Sequence, residues 1–468
     1  MSHKTLWTFA ITSLALFMVS LDNLVVTTAI PVIRRDLHAG LGGLEWTVNA
    51  YTLTFAVLLL TGAALGDRFG RRRVFALGIA VFTAASAAAA LAPSIGALDA
   101  ARAVQGLGAA LVLPLTLTIL SAAVPAERRG LALGAWGGIS GLAIAFGPLV
   151  GGAVVDGLSW HWIFWLNVPL GLVLAPLALT RLDETHGAFG KLDLRGLALA
   201  SAGLFGIVWA LVRGNSVGWS SPEIVGAASA GAVLLAAFVG WELRAPAPML
   251  PMRFFRNRTF ALANVASLLM SFGMFGSIFF LAQFFQTVQH VTPLGSGLRI
   301  LPWTAMPMVV APIAGALSDR IGGYKILGTG LLLQAAGLGW IAAVSHPGTP
   351  YLELVVPFAL SGMGMGMFFA PVANVVLSSV RPEEEGQASG ANSAVRELGG
   401  VLGVAVLASV FAHFGSYRTG ATFTNGMVSA VWIGAAVVLV GALAALGIGF
   451  RRRQQAPQPL ETSLELAA

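Results

Sequence analysis

The chain has 468 residues, of which 57% are hydrophobic and only 10% charged, with a formal net charge of +7 and a mean hydropathy of +0.82. A soluble domain needs a polar surface, so this composition excludes one and makes a lipid bilayer the expected solvent and main partner. No cysteine is present, which removes disulfides, thiol chemistry and Cys-ligated metals. The basic residues sit in short loops rather than in one basic, aromatic-bearing domain, which argues against a nucleic-acid partner.

Read with a window of about 19 residues, the sequence predicts about fourteen apolar spans, each near the roughly 20 residues needed to cross a hydrocarbon core. They run 7–30, 46–65, 74–91, 98–120, 131–154, 162–179 and 197–212, then 224–241, 260–280, 296–317, 326–344, 354–377, 398–414 and 427–450. The first is too long for a cleaved signal peptide and carries Asp22. Lys and Arg fall mostly on the side of the N-terminus, which predicts that this end is cytoplasmic, and an even span number puts the C-terminus there too.

Two loops far apart repeat one pattern. Leu65-Gly66-Asp67-Arg68-Phe69-Gly70-Arg71-Arg72 and Gly315-Ala316-Leu317-Ser318-Asp319-Arg320-Ile321-Gly322 each hold a carboxylate, a following Arg and a Gly in the same register between apolar segments. Repeated halves are the usual basis of alternating access. The loop follows the second span and then the tenth, so two spans, 197–212 and 224–241, sit between two six-span units. The expected divisions are residues 1–180, an N-terminal six-helix bundle; 181–258, a linker with two additional helices; 259–450, a C-terminal six-helix bundle; and 451–468, a cytoplasmic tail.

These loops resemble the signature between the second and third helices of each half of the major facilitator superfamily, and the six-two-six plan is similar to its fourteen-helix drug:proton antiporter branch. Further motifs carry the resemblance. Leu21-Asp22-Asn23 through Ile30-Pro31 looks like the proton-linked motif of the first helix, with Asn23 where Thr or Ser is common. Arg102-Ala103-Val104-Gln105-Gly106 matches the Arg-containing motif of the fourth. Gly147-Pro148-Leu149-Val150-Gly151-Gly152 matches the antiporter motif of the fifth, and Trp160 to Pro169 is typical of the branch. The resemblance implies an all-α major facilitator fold of two six-helix bundles plus two inserted helices, in a bacterial cell membrane. It also implies monomeric export of small amphipathic drugs in exchange for protons, with no cofactor.

Physical chemistry assigns these residues expected roles. A carboxylate deep in an apolar helix costs about 2.5–3.5 kcal/mol on insertion scales, so Asp22 should face a cavity or a partner and is the leading proton site. At about 1.5 Å per residue, Asp22 lies at roughly 20 Å depth and Arg102 at roughly 27 Å, close enough for a long Arg side chain to reach, with Asp99 as a competing partner. Asp67, Arg68, Gly70 and Arg71, with Asp319 and Arg320 in the second copy, form a candidate gating latch between halves. Gly147, Pro148, Gly151 and Gly152 form a candidate hinge or close helix contact. Asn23, Gln105, Phe275, Phe279, Met363 and Met367 are substrate-pocket candidates. The Arg396-Glu397 pair, just before the thirteenth span, reads as an interfacial anchor.

Enzyme readings find no support in the sequence: there is no His-Glu-x-x-His and no Gly-rich loop ending in Gly-Lys-Ser or Gly-Lys-Thr. The leading expectation is proton-coupled efflux of antibiotics or other amphipathic toxicants. Export of one endogenous metabolite or lipid is the alternative within transport, and a non-transporting membrane sensor or scaffold is the alternative outside it.

Overall fold

A computed structural model describes residues 3–124, 126–186, 193–381 and 384–449; the tail 451–468 lies outside the described residues, as does the side chain of Asp319. The molecule is all-α. The first six spans are α1 (His3–Asp36), α2 (Leu41–Phe69), α3 (Arg71–Ala90), α4 (Ile95–Ala123), α5 (Ala126–Gly157) and a broken sixth of α6 (Trp162–Trp165) and α7 (Asn167–Arg181). The intervening pair is α8 (Leu194–Val217) and α9 (Pro222–Glu242), followed by the short α10 (Arg253–Arg256). The last six are α11 (Arg258–Thr287), a broken α12 (Pro293–Thr304) and α13 (Met306–Ile321), α14 (Gly323–Val344), α15 (Tyr351–Leu377), α16 (Glu385–Phe414) and α17 (Gly420–Gly447).

Among the described residues 13 helices are long and apolar enough to span a bilayer, and α5 supplies the fourteenth through the shorter apolar stretch Ala145–Gly157. In a hydrocarbon solvent every backbone group must bond within its own segment, which is why apolar sequence of this length becomes helix. The interruption between α12 and α13 has a local cause. Pro307 has no N–H and its ring would clash with the carbonyl of Trp303, so the helix ends at Thr304 and restarts.

The packing repeats as the sequence does. In the first six spans α2 and α3 both pack on α4, and α1 packs on α5; in the last six α13 and α14 pack on α15, and α11 on α16. The most extensive crossed contacts between the sets are α5 against α12 and α2 against α16. The inserted α8 and α9 pack chiefly on one another, and α8 leans on α2 and α16, so the pair flanks one of these crossed contacts.

Helix limits depart from the hydropathy windows where a helix has a polar face. The second span begins at Leu41 rather than 46, which draws Glu45 inside α2, where it is buried. The thirteenth begins at Glu385 rather than 398. Arg396 and Glu397 therefore lie within a spanning helix, and the anchor reading is corrected: both line the central cavity.

Candidate functional site

A cavity of about 1870 Å³ lies between the first six and last six spans. Its wall is mostly apolar, with Tyr51 and Phe55 of α2, Phe275 of α11 and Phe369 of α15 among the lining side chains. It opens at the end that carries Asp67, Arg71 and the segment between α9 and α10, which contributes Leu243, Pro246, Met249 and Met252.

The opposite end is closed by direct contact. Gly152 of α5 meets the backbone of Pro293, and Gly297 of α12 meets the backbone of Pro148, so closely that a methyl group on either glycine would collide with the facing carbonyl. Gly147 packs on Leu24, and Gly151 packs on Val25 and Thr28, which binds α5 to α1. The candidate hinge residues thus form a close helix contact that joins α1, α5 and α12. Thr304 adds a bond to the Ala145 carbonyl at 2.9 Å. Nearby, the Arg34 guanidinium lies 3.6 Å from the centre of the Tyr417 ring, and the Tyr417 hydroxyl donates to Gln283 Oε1 at 2.6 Å. Burial pushes that hydroxyl above the ordinary tyrosine range against the pull of Arg34, so it remains a donor.

Asp22 sits in a sealed polar cluster behind the cavity wall. Arg102 Nη1 donates to its Oδ2 at 2.5 Å, while Gln105 Nε2 and Asn167 Nδ2 each donate to its Oδ1 at 2.8 Å. The same Arg102 nitrogen reaches Gln105 Oε1 at 2.7 Å, and Arg102 Nε reaches the Thr47 carbonyl at 3.0 Å. Ser86 accepts from Gln105 at 2.9 Å. Every oxygen and most donors are satisfied, which is the condition under which a buried charge pair is tolerated.

Tyr51 separates this cluster from the cavity. One face of its ring carries Arg102 at 4.3 Å, and its hydroxyl is held by the Val19 carbonyl at 3.3 Å. Asp22 is 1% exposed. Of the two expectations for it, a partner rather than a cavity is what it has. Asp99, the competing candidate, accepts instead from Thr47 at 2.9 Å. Asn167, Ser86, Thr47 and Tyr51 were missed as site residues; Asn167 lies in the Trp160 to Pro169 motif, and a polar residue in an apolar span was the available signal.

The repeated loops share a backbone feature. Gly70 and Gly322 have φ of +103° and +97°, a region in which side chains are strained, and each turns the chain into the next helix. Asp67 Oδ1 accepts from Arg71 Nε at 2.8 Å within its own loop, and Arg72 and Arg73 approach Glu184 at 3.5 Å. Arg68 and Arg320 are exposed. Among the described residues no ion pair joins Asp67 to the last six spans, as expected where the cavity is open.

The pocket candidates divide. Asn23 and Phe275 line the cavity. Gln105 belongs to the Asp22 cluster, Phe279 is core and packs edge-on to Phe280, Met363 is 38% exposed on the molecule's surface, and Met367 packs against Gly330 of α14. These four are corrected. Helical spacing puts residues on a face, and only packing decides what that face meets.

A polytopic helical protein with repeated halves, a central cavity open at one end and a close contact at the other is a transporter. The chain belongs to the Major Facilitator Superfamily, whose family model matches residues 12–404 and again 265–466. It is 36% identical to the multidrug resistance protein Stp of Mycobacterium tuberculosis over 88% of this chain and 77% of that one. It is 35% identical to the tetracenomycin C resistance and export protein of Streptomyces glaucescens over 86% of this chain and 74% of that one. Its fold is similar to that of a bacterial homologue of the human lysosomal transporter Spinster, crystallised inward-facing and unoccupied. The TM-score is 0.69 at 15% identity, covering 98% of this chain and all of that one.

Proposed function

We propose that the protein is a proton-coupled antiporter that exports amphipathic drugs or antibiotics across a bacterial cell membrane by alternating access. The observation that carries this reading is a large, mostly apolar cavity beside a sealed carboxylate cluster, open on one side only. An apolar, aromatic-lined cavity suits amphipathic solutes of varied shape, because burial of apolar surface is non-directional.

In this reading residues 1–180 and 259–450 form the two moving bundles around residues 181–258, with both termini and the tail 451–468 cytoplasmic. The described conformation is then inward-facing. Asp22 is the proton carrier and Arg102 its counter-ion. Opening of the cluster toward the cavity would separate them, and a carboxyl freed of its cation in an apolar wall takes up a proton. The Asp67 loop, with Arg68, Gly70, Arg71, Asp319 and Arg320, latches the cytoplasmic side in the opposite state, and the α1–α5–α12 contact closes the external side in this one. The protein would act as a monomer without a cofactor.

The test is substrate-dependent proton release from purified protein, joined to a growth-inhibition panel of diverse compounds in an efflux-deficient host. No release with any compound that the panel shows to be exported overturns proton coupling. A panel in which no drug is exported favours the alternative, export of a single endogenous metabolite or lipid.

A further inference from the structure

We infer that the segment 243–252, which continues the inserted helix pair, is a substrate-contacting wall of the cavity mouth, where the thioethers of Met249 and Met252 select solutes that carry aromatic rings. This rests on the export reading and names a specificity-determining part of that same cavity.

The segment leaves α9 at Glu242 and runs along the open end of the cavity to α10. Pro246, Pro248 and Pro251 have no N–H and a fixed φ, so it neither prolongs the helix nor pairs as a strand. Irregular backbone beside a bilayer is tolerated where it lines a wet cavity. Side chains fix its course. Glu242 Oε2 accepts the Leu250 N–H at 2.9 Å, and the Thr61 hydroxyl of α2 lies 3.8 Å from the Met249 sulfur. Just beyond it, Arg253 pairs at 2.6 Å with Glu384, the residue before α16. The segment is therefore placed between the first six and last six spans at the entrance, where an entering solute must pass it.

Its methionines give this wall a chemical preference. An unbranched thioether adapts to the shape it meets and attracts the edge of an aromatic ring. Met249 and Met252 are two of the four methionines that line the cavity, the others being Met274 and Met308 on α11 and α13. Both are half-buried, so each keeps accessible surface at the entrance. A thioether is a weak acceptor, and a ligand ring can replace the Thr61 hydroxyl at the Met249 sulfur at little cost. Tyr51 and Phe275 line the same cavity, so a ring that has passed the methionines meets aromatic surface beyond them.

The experiment compares two neutral probes of similar shape, triphenylphosphine oxide, with aromatic rings, and tricyclohexylphosphine oxide, with saturated ones. Affinities are measured for the full chain in lipid nanodiscs. Met249→Leu joined to Met252→Leu removes both sulfurs and keeps apolar volume, so it should lower the ratio of aromatic to saturated affinity about threefold. Met363→Leu, on the molecule's surface, should leave the ratio unchanged. Because the chain has no cysteine, Met252→Cys gives a second reading: saturating triphenylphosphine oxide should slow its labelling by a maleimide, and should not slow labelling of Ser220→Cys. A ratio unmoved by the double variant, or labelling of Met252→Cys unmoved by bound probe, overturns the inference while leaving the export reading intact. Wild-type protein that binds neither probe overturns the inference and counts against amphipathic export itself.

Discussion

The side-chain amide of Gln286 on α11 donates to the backbone carbonyl of Thr28 on α1 at 2.8 Å. This bond spans the seam between the first six and last six spans at the closed end of the cavity, beside the contacts of Gly152 with Pro293 and Gly297 with Pro148. A closed state maintained by backbone approach and a few hydrogen bonds can open without breaking an ion pair, and it tolerates almost no added volume.

Gly152→Ala and Gly297→Ala should therefore favour the state in which this end is open. Overpacking costs about 1–3 kcal/mol, and about 1.4 kcal/mol shifts a two-state population tenfold. Because the chain has no cysteine, one introduced at Asn23 reports alone. Its labelling by an impermeant maleimide added outside should rise about tenfold in either glycine variant, and unchanged labelling would count against the external-closure role.

Asp22→Asn should abolish substrate-dependent proton release and efflux driven by a proton gradient. It also leaves the Arg102 charge buried without its counter-ion, which costs about 3–5 kcal/mol for a sealed pair. Thermal unfolding should show that loss, and Arg102→Gln added to Asp22→Asn should recover part of it, because the double variant buries no lone charge. Undiminished proton release from folded Asp22→Asn protein would move the assignment to Asp99.

Asp67→Asn should slow transport about fivefold or more with little effect on substrate binding, since the loop biases the conformational equilibrium and lies at the mouth of the cavity. Transport rates set against equilibrium binding separate the two effects. Asp319→Asn should be milder, the basic cluster beside it being smaller. Normal turnover in Asp67→Asn would remove the latch.

Reporters fused after Arg195 and after Arg258 should both read as cytoplasmic, and one after Ser220 as external. Ser220 lies in the turn between α8 and α9, whose helices end at Val217 and begin at Pro222. A cytoplasmic signal at Ser220 would mean that the inserted pair does not span the membrane.

Composition and order along the chain determined the class of this protein. An apolar segment of about twenty residues in lipid has one solution, a helix, so the spans were legible as a one-dimensional property, as were the two loops whose glycines share a positive φ. Asp22 and Arg102 were also legible, because charge inside an apolar run is costly and demands a partner. What completes that partnership was not: Gln105 and Asn167 converge on one carboxylate from helices 83 and 145 residues further along the chain. Nor was the start of α16, since a hydropathy window reads a helix with a polar, cavity-facing side as a loop. That side carries Glu397, and whether a polar side chain meets solvent, a partner or an empty cavity depends on neighbours that helical spacing does not name. Tertiary packing alone placed Phe275 on the cavity and its companion Phe279, one turn away, in the core.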